Sequence, residues 1–143
     1  MATRDDIIGF CDSLLAIGSF TDYGPNGLQV PGAEEVTKVV SGVSAHRELL
    51  QRAVDADAQL LIAHHGLFWD FHPRALTPAM AERLRIALTN DLSVAGYHLP
   101  LDAHREIGNN VLLARALGFE PTDEPFGVVK GSPIGCVAEG PEG

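Results

Sequence analysis

Three short apolar runs alternate with stretches of helical periodicity, and this alternation limits the folds open to the chain more than any other feature. Residues 36–43 are Val-rich and bounded by Glu35 and Ser44, which predicts a strand. Residues 60–63, Leu-Leu-Ile-Ala, are too few for a helix and suit a strand buried in a parallel sheet. Residues 92–98 read as a third strand. After the first run, Leu49, Leu50, Ala53 and Val54 fall on one face of a helix that Ser44 can cap and that ends near Ala56. Pro78 suits the first turn of another helix, with Met80, Leu84, Ala87 and Leu88 inward. Asn109 or Asn110 can cap a last helix over 111–117, stopped by Gly118. An earlier helix starts at Thr3, with Asp6 in capping-box position, Ile7, Ile8, Cys11, Leu14 and Leu15 inward, and Gly18 as its stop. The order predicts an α/β protein, a mostly parallel sheet with flanking helices.

The 143 residues are about one domain's worth. Residues 126–129 and 134–137 read as two more short strands, as in a hairpin, and break the βα rhythm. The expected division is therefore 1–125, an α/β metal-site domain, and 126–143, the start of a second domain or a C-terminal tail. From Gly131 onward Gly131, Pro133, Gly135, Gly140, Pro141 and Gly143 crowd together, and that tail reads as disordered.

In open α/β sheets ligands bind beyond the carboxyl ends of the strands. His64-His65-Gly66 follows the second run directly, and the segment from His98 through Asp102 to His104 follows the third. Neutral imidazole and carboxylate are common metal ligands. Successive side chains of a strand point to opposite faces, so adjacent histidines splay, and two neighbouring ions suit them better than one. Gly66 would give the backbone freedom to turn away. The plain alternative is that these histidines are satisfied side chains at the rim of a core. His98 is a candidate hydrogen-bond partner that orients a ligand, or packing. His46 and His104 read as exposed or on loop edges, and His72 as part of a flexible loop. Phe68, Trp69 and Phe71 read first as packing or an oligomer contact and second as a stacking surface for substrate. Arg74, Arg83 and Arg85 read as solvated charges that can meet an anion. No glycine-rich phosphate loop, CxxC or GxSxG is present.

The net charge of −9 disfavours nucleic acid. Cys11 and Cys136 make no disulfide framework, Cys11 being expected as a buried thiol. With no apolar signal core at the N-terminus and no apolar run of membrane-spanning length, the expectation is a cytoplasmic protein.

Three segments resemble one family. Residues 22–30, Asp-Tyr-Gly-Pro-Asn-Gly-Leu-Gln-Val, are similar to its N-terminal signature. Residues 63–69, Ala-His-His-Gly-Leu-Phe-Trp, resemble its double-histidine motif. Residues 96–104, running into Gly108-Asn109-Asn110, resemble its aspartate motif. The family is that of the GTP cyclohydrolase 1 type 2 homologues, NIF-three-like or YbgI-like dinuclear metal-binding proteins. The resemblance implies a NIF-three-like fold of two domains and a ring-shaped homohexamer. It implies that His64 and His65 each hold one of two divalent ions, with Asp102 on one of them, the ions being Zn, Mn, Fe or Ni. It also implies two further ligands from a His-x-x-x-Glu motif, yet none of His46, His72, His98 and His104 has Glu four residues on. The expectation is the first half of a family member, truncated before completion of the second domain. His64, His65 and Asp102 fill three or four of the roughly eight positions that two tetrahedral ions need.

The leading expectation is a divalent-metal protein with a dinuclear-type site acting as a hydrolase; the resemblance implies a nucleotide substrate, GTP cyclohydrolase-like, and no catalytic acid or base is identifiable. The alternative is a metal-binding scaffold or metallochaperone without turnover.

Overall fold

The computed structural model describes residues 2–140. Its first elements are β1 (Ala2–Thr3), α1 (Arg4–Leu14), β2 (Gly27–Val30), β3 (Glu35–Val36), β4 (Val39–Ser44), α2 (Arg47–Asp55), β5 (Leu60–His65), α3 (Pro78–Thr89) and β6 (Ser93–Gly96). Thr3 Oγ1 accepts from Asp6 N at 3.1 Å, the cap expected for α1. The expected single strand at 36–43 is two. Gln59 Oε1 accepts from the backbone N–H groups of Thr37 and Lys38 and from the Thr37 hydroxyl, each at 3.0 Å, and so takes up donors at the break.

The described residues fold as two units, residues 2–14 with 23–97, and residues 15–22 with 98–140. Unit 1 holds a four-stranded sheet of order β2-β6-β5-β4. β4, β5 and β6 run parallel, and β2 joins β6 antiparallel with a bulge at Gln29. β5 is thus a central strand, and Leu60, Leu61 and Ala63 are buried because the sheet flanks it on both sides. Leu50 and Ala53 of α2, Met80 and Ala87 of α3, and Val94 of β6 join it in one apolar core. Full burial of each large side chain contributes about 1.5–3 kcal/mol.

Several local expectations need correction. α2 begins at Arg47, and its cap is His46, whose Nδ1 accepts from Leu49 N at 3.1 Å. Ser44 is the last residue of β4 instead, so neither residue plays the part its type suggests. β5 runs two residues past Ala63 and carries both histidines at its end. α3 starts at Pro78 as expected, capped by Thr77, but Leu88 is 60 % exposed. Leu14 of α1 is 42 % exposed as well. α1 stops short of Gly18, and Ala16 then takes a left-handed turn (φ 46°) into a 3-10 turn at Ile17–Ser19. The loop before α3 is held locally, His72 N donating to Trp69 O at 3.0 Å.

Unit 2 is built from α4 (Leu99–Ala103), α5 (Asn109–Ala116), β7 (Glu120–Pro121), β8 (Val128–Val129), β9 (Ser132–Pro133) and β10 (Ala138–Glu139). The cap of α5 is Gly108, and Asn110 instead donates to Asp102 O and Ile134 O. β8 pairs with β9 antiparallel around Lys130-Gly131, both at positive φ, while residues 134–137, expected as the second strand, lie between β9 and β10 without strand structure. β7 pairs with β10, so the tail expected to be disordered holds paired strands at 132–133 and 138–139; residues 141–143 of that tail lie outside the described residues. Among the described residues no helix is long and apolar enough to cross a membrane.

Candidate metal centre

The carboxyl end of β5 is where apolar sequence gives way to donors. Ser44 of β4 pairs in register with His65, and Tyr97 N, just past β6, donates to Ala63 O at 2.9 Å. The parallel neighbours therefore present Ser44 and Tyr97 on either side of the histidine pair. The two imidazoles sit with ring centroids 4.6 Å apart, tilted by 43°.

The hydrogen bonds decide the chemistry of His64. Its Nδ1 is 2.9 Å from the carbonyl of Tyr97. A carbonyl only accepts, so Nδ1 carries the proton, and in the neutral ring the lone pair is on Nε2. This is how a metal-ligating imidazole is ordinarily set, its other nitrogen donating to a fixed acceptor. His65 Nδ1 lies 2.9 Å from Ser44 Oγ, which can accept in the same way.

Tyr97 itself is anchored from α1. Its ring is 2 % exposed and its hydroxyl donates to Asp12 Oδ1 at 2.7 Å. Burial first, then the Asp12 carboxylate, push the phenol far above its ordinary range, so it stays a neutral donor. The Cys11 thiol is raised too, by burial and then by Asp12, although its side chain is only half-buried.

A second brace comes from Gln29, at the bulge of β2. Its Oε1 accepts from Leu67 N at 2.6 Å, and its Nε2 donates to Pro25 O at 2.8 Å. The same carboxamide fills the space that a Cβ on Gly66 or Gly96 would need. Gly66 is thus required by close approach rather than by the freedom to turn that its place in the sequence suggests; its φ is not positive.

In unit 2, His98 follows Tyr97 directly. Its Nδ1 lies 2.8 Å from Asp22 Oδ1, and Asp22 Oδ2 accepts from Leu99 N at 2.8 Å. The Asp22 carboxylate is 3 % exposed, so it fixes the His98 ring firmly. Within unit 1, His64 and His65 together offer imidazole nitrogens of the kind that hold a divalent ion. Asp102 stands on α4, where Asn109 Nδ2 donates to its Oδ1 at 2.9 Å. His104 Nδ1 accepts from Glu106 N and Ile107 N and serves a local turn. The donor set fits a divalent cation, since the His64 tautomer leaves a ring nitrogen with a lone pair to offer.

Sequence spacing alone finds the histidines and misses what holds them and their surroundings: Ser44 and the Tyr97 carbonyl at the pair, Asp22 at His98, and Gln29 at the backbone after His65. The signal for two of these is present, because Asp22 and Gln29 lie in the 22–30 signature, which by composition reads only as turns and a short extended piece.

An α/β protein with a histidine pair at the carboxyl end of a central parallel strand is thereby defined. The Duf34/NIF3 (NGG1p interacting factor 3) family model matches residues 2–142, and the chain belongs to that family. It is 45% identical over 127 residues to the GTP cyclohydrolase 1 type 2 homolog of Neisseria meningitidis serogroup A, covering 89% of this chain and 51% of that protein. It is 50% identical over 109 residues to the protein of the same name from Pseudomonas aeruginosa, covering 76% of this chain and 43% of the relative. Among solved structures, protein ybgI, described as of unknown function, superposes with TM-score 0.83 at 41% identity, over 85% of this chain and 49% of that one. TTHA1606 from Thermus thermophilus gives TM-score 0.78 at 38% identity, over 85% and 51%. The chain thus spans about half the length of the relatives it matches.

Proposed function

We propose that this chain supplies ligands to a two-ion divalent-metal centre that serves hydrolysis of a nucleotide. The observation that carries the reading is the His64 Nδ1 bond to the Tyr97 carbonyl, which puts the ring's lone pair on Nε2, the form in which an imidazole can ligate a metal. In this reading His64 and His65 each hold one ion and Asp102 binds one of them, while His98 lends or orients a further ligand. Zn, Mn, Fe or Ni would suit these donors. When bound, such an ion supplies Lewis acidity toward a carbonyl or phosphoryl oxygen. The chain's own residues do the positioning: the Tyr97 carbonyl and Ser44 set the imidazoles, Asp12 holds Tyr97, and Gln29 fixes the backbone after His65. The nucleotide comes from the name of the relatives, GTP cyclohydrolase 1 type 2 homolog. By the same resemblance, we propose a homohexamer in the cytoplasm.

Titration calorimetry with Mn²⁺ or Zn²⁺ tests the centre. With His64, His65 and Asp102 as the protein ligands, the expectation is one weak site per 143-residue chain. His65→Ala weakens it by about tenfold or more, as does Asp102→Ala. Binding indifferent to both substitutions would overturn the reading. Metal binding without metal-dependent hydrolysis of nucleotides would favour the scaffold role instead.

A further inference from the structure

Beyond β5, the segment that leads into α3 encloses a pocket of about 330 Å³ within unit 1. That is at the small end of small-molecule sites, roughly 300–1,000 Å³. Phe68, Trp69, His72, Arg74, Met80 and Arg83 line it. Three features set its chemistry. First, the walls are aromatic, and Trp69 is itself stacked with Phe71, ring centroids 5.7 Å apart. Second, two guanidinium groups converge on it with no carboxylate in the lining. Arg74 makes no ion pair or side-chain hydrogen bond among the described residues, and Arg83 reaches only the carbonyls of Ala79 and Ala45, at 3.4 Å each. Third, His72 Nδ1 is buried without a hydrogen-bond partner. An unsatisfied buried nitrogen is costly, and a ligand's polar group would relieve that cost.

Aromatic faces, forked cations and one buried ring nitrogen together select a flat ring carrying an anionic group. We propose that this pocket is a binding site for a small planar aromatic anion, the ring lying against Trp69 and Phe68 and the anion meeting Arg74 and Arg83. Trp69 also faces the histidine pair, with its ring centroid 6.1 Å from that of His65. A ligand here would therefore sit next to the proposed metal centre, but its binding requires no metal.

Trp69 is the only tryptophan in the chain, so its fluorescence reports on the pocket directly. The experiment is a titration of chelator-treated protein with AMP, with adenosine and inorganic phosphate as ring-only and anion-only probes. Saturable quenching by AMP is expected, with adenosine about tenfold weaker and phosphate causing little change. Arg74→Ala, on an exposed loop, should weaken AMP about tenfold while leaving metal calorimetry as in the parent, and Arg83→Ala should act likewise. No saturable response to AMP at millimolar concentration would overturn the proposal. So would equal responses to AMP and adenosine, or an Arg74→Ala variant that binds AMP as the parent does. None of these outcomes bears on metal binding at His64 and His65, so the two readings fail separately.

Discussion

In unit 1, Leu50, Leu61 and Val94 are fully buried, and every strand of the main sheet has four to six residues. In unit 2 the strands have two residues each, and Leu113, Leu117, Phe126 and Val128 are all at least 60 % exposed. The two units draw on similar residue types. They differ in coverage. Unit 1 sets two helices against a four-stranded sheet and closes an apolar core over it. In unit 2, Val111 is the one residue of α5 that is buried, and the leucines beyond it face outward. Donors that need fixed geometry stand where the core is closed, since His64 and His65 end the strand whose preceding residues are among the most deeply buried in the chain.

The hardest test of this contrast is Leu61→Ala. Leu61 is 0 % exposed near the start of β5, and removing three carbons there costs the transfer energy and leaves a cavity. The expected loss is about 2–5 kcal/mol in urea unfolding followed by Trp69 fluorescence. A loss below about 1 kcal/mol would mean that the sheet is not the folding core of unit 1.

Gln29→Ala should come next in size. It strips the acceptor from Leu67 N and a donor from Pro25 O, and opens space beside Gly66 and Gly96. The expected cost is about 1–2 kcal/mol, with amide exchange at Leu67 accelerated. If exchange at Leu67 does not change, Gln29 is not what holds the exit of β5.

Much of this is legible in the residues because local pattern and global fold agree. The runs at 39–44, 60–65 and 93–96 are apolar enough to suit a buried parallel sheet, and the helices between them carry the matching inner faces. The histidine pair is visible for the same reason, as the point at which β5 turns polar. What stays hidden is long-range. Gln29 contacts a backbone group 38 positions away, and Tyr97 meets Asp12 across 85. Periodicity is blind to such pairs, since it reports which face a residue takes and not what lies opposite. His46 misleads for a different reason: Ser44 has the commoner capping side chain, yet the last register pair of β4 with β5 claims it, and His46 caps the helix instead.

The smallest expected effect is also the sharpest test of unit 2. Leu113 is 60 % exposed on α5, so Leu113→Ala removes little buried area, and alanine is the better helix former. If the outward face of α5 meets only solvent, stability by far-UV circular dichroism should change by no more than about 0.5 kcal/mol, and sedimentation should be unaltered. A loss of about 2 kcal/mol, or a fall in sedimentation coefficient, would show that this face is covered in solution. The contrast between the units would then belong to the isolated chain rather than to the assembled protein. Soluble monomers rarely leave contiguous apolar patches larger than a few hundred Å² uncovered, and Leu113 shares its unit with the exposed Leu117, Phe126 and Val128. The comparison therefore turns on this one mild substitution, because Leu61→Ala destabilises unit 1 whichever answer unit 2 gives.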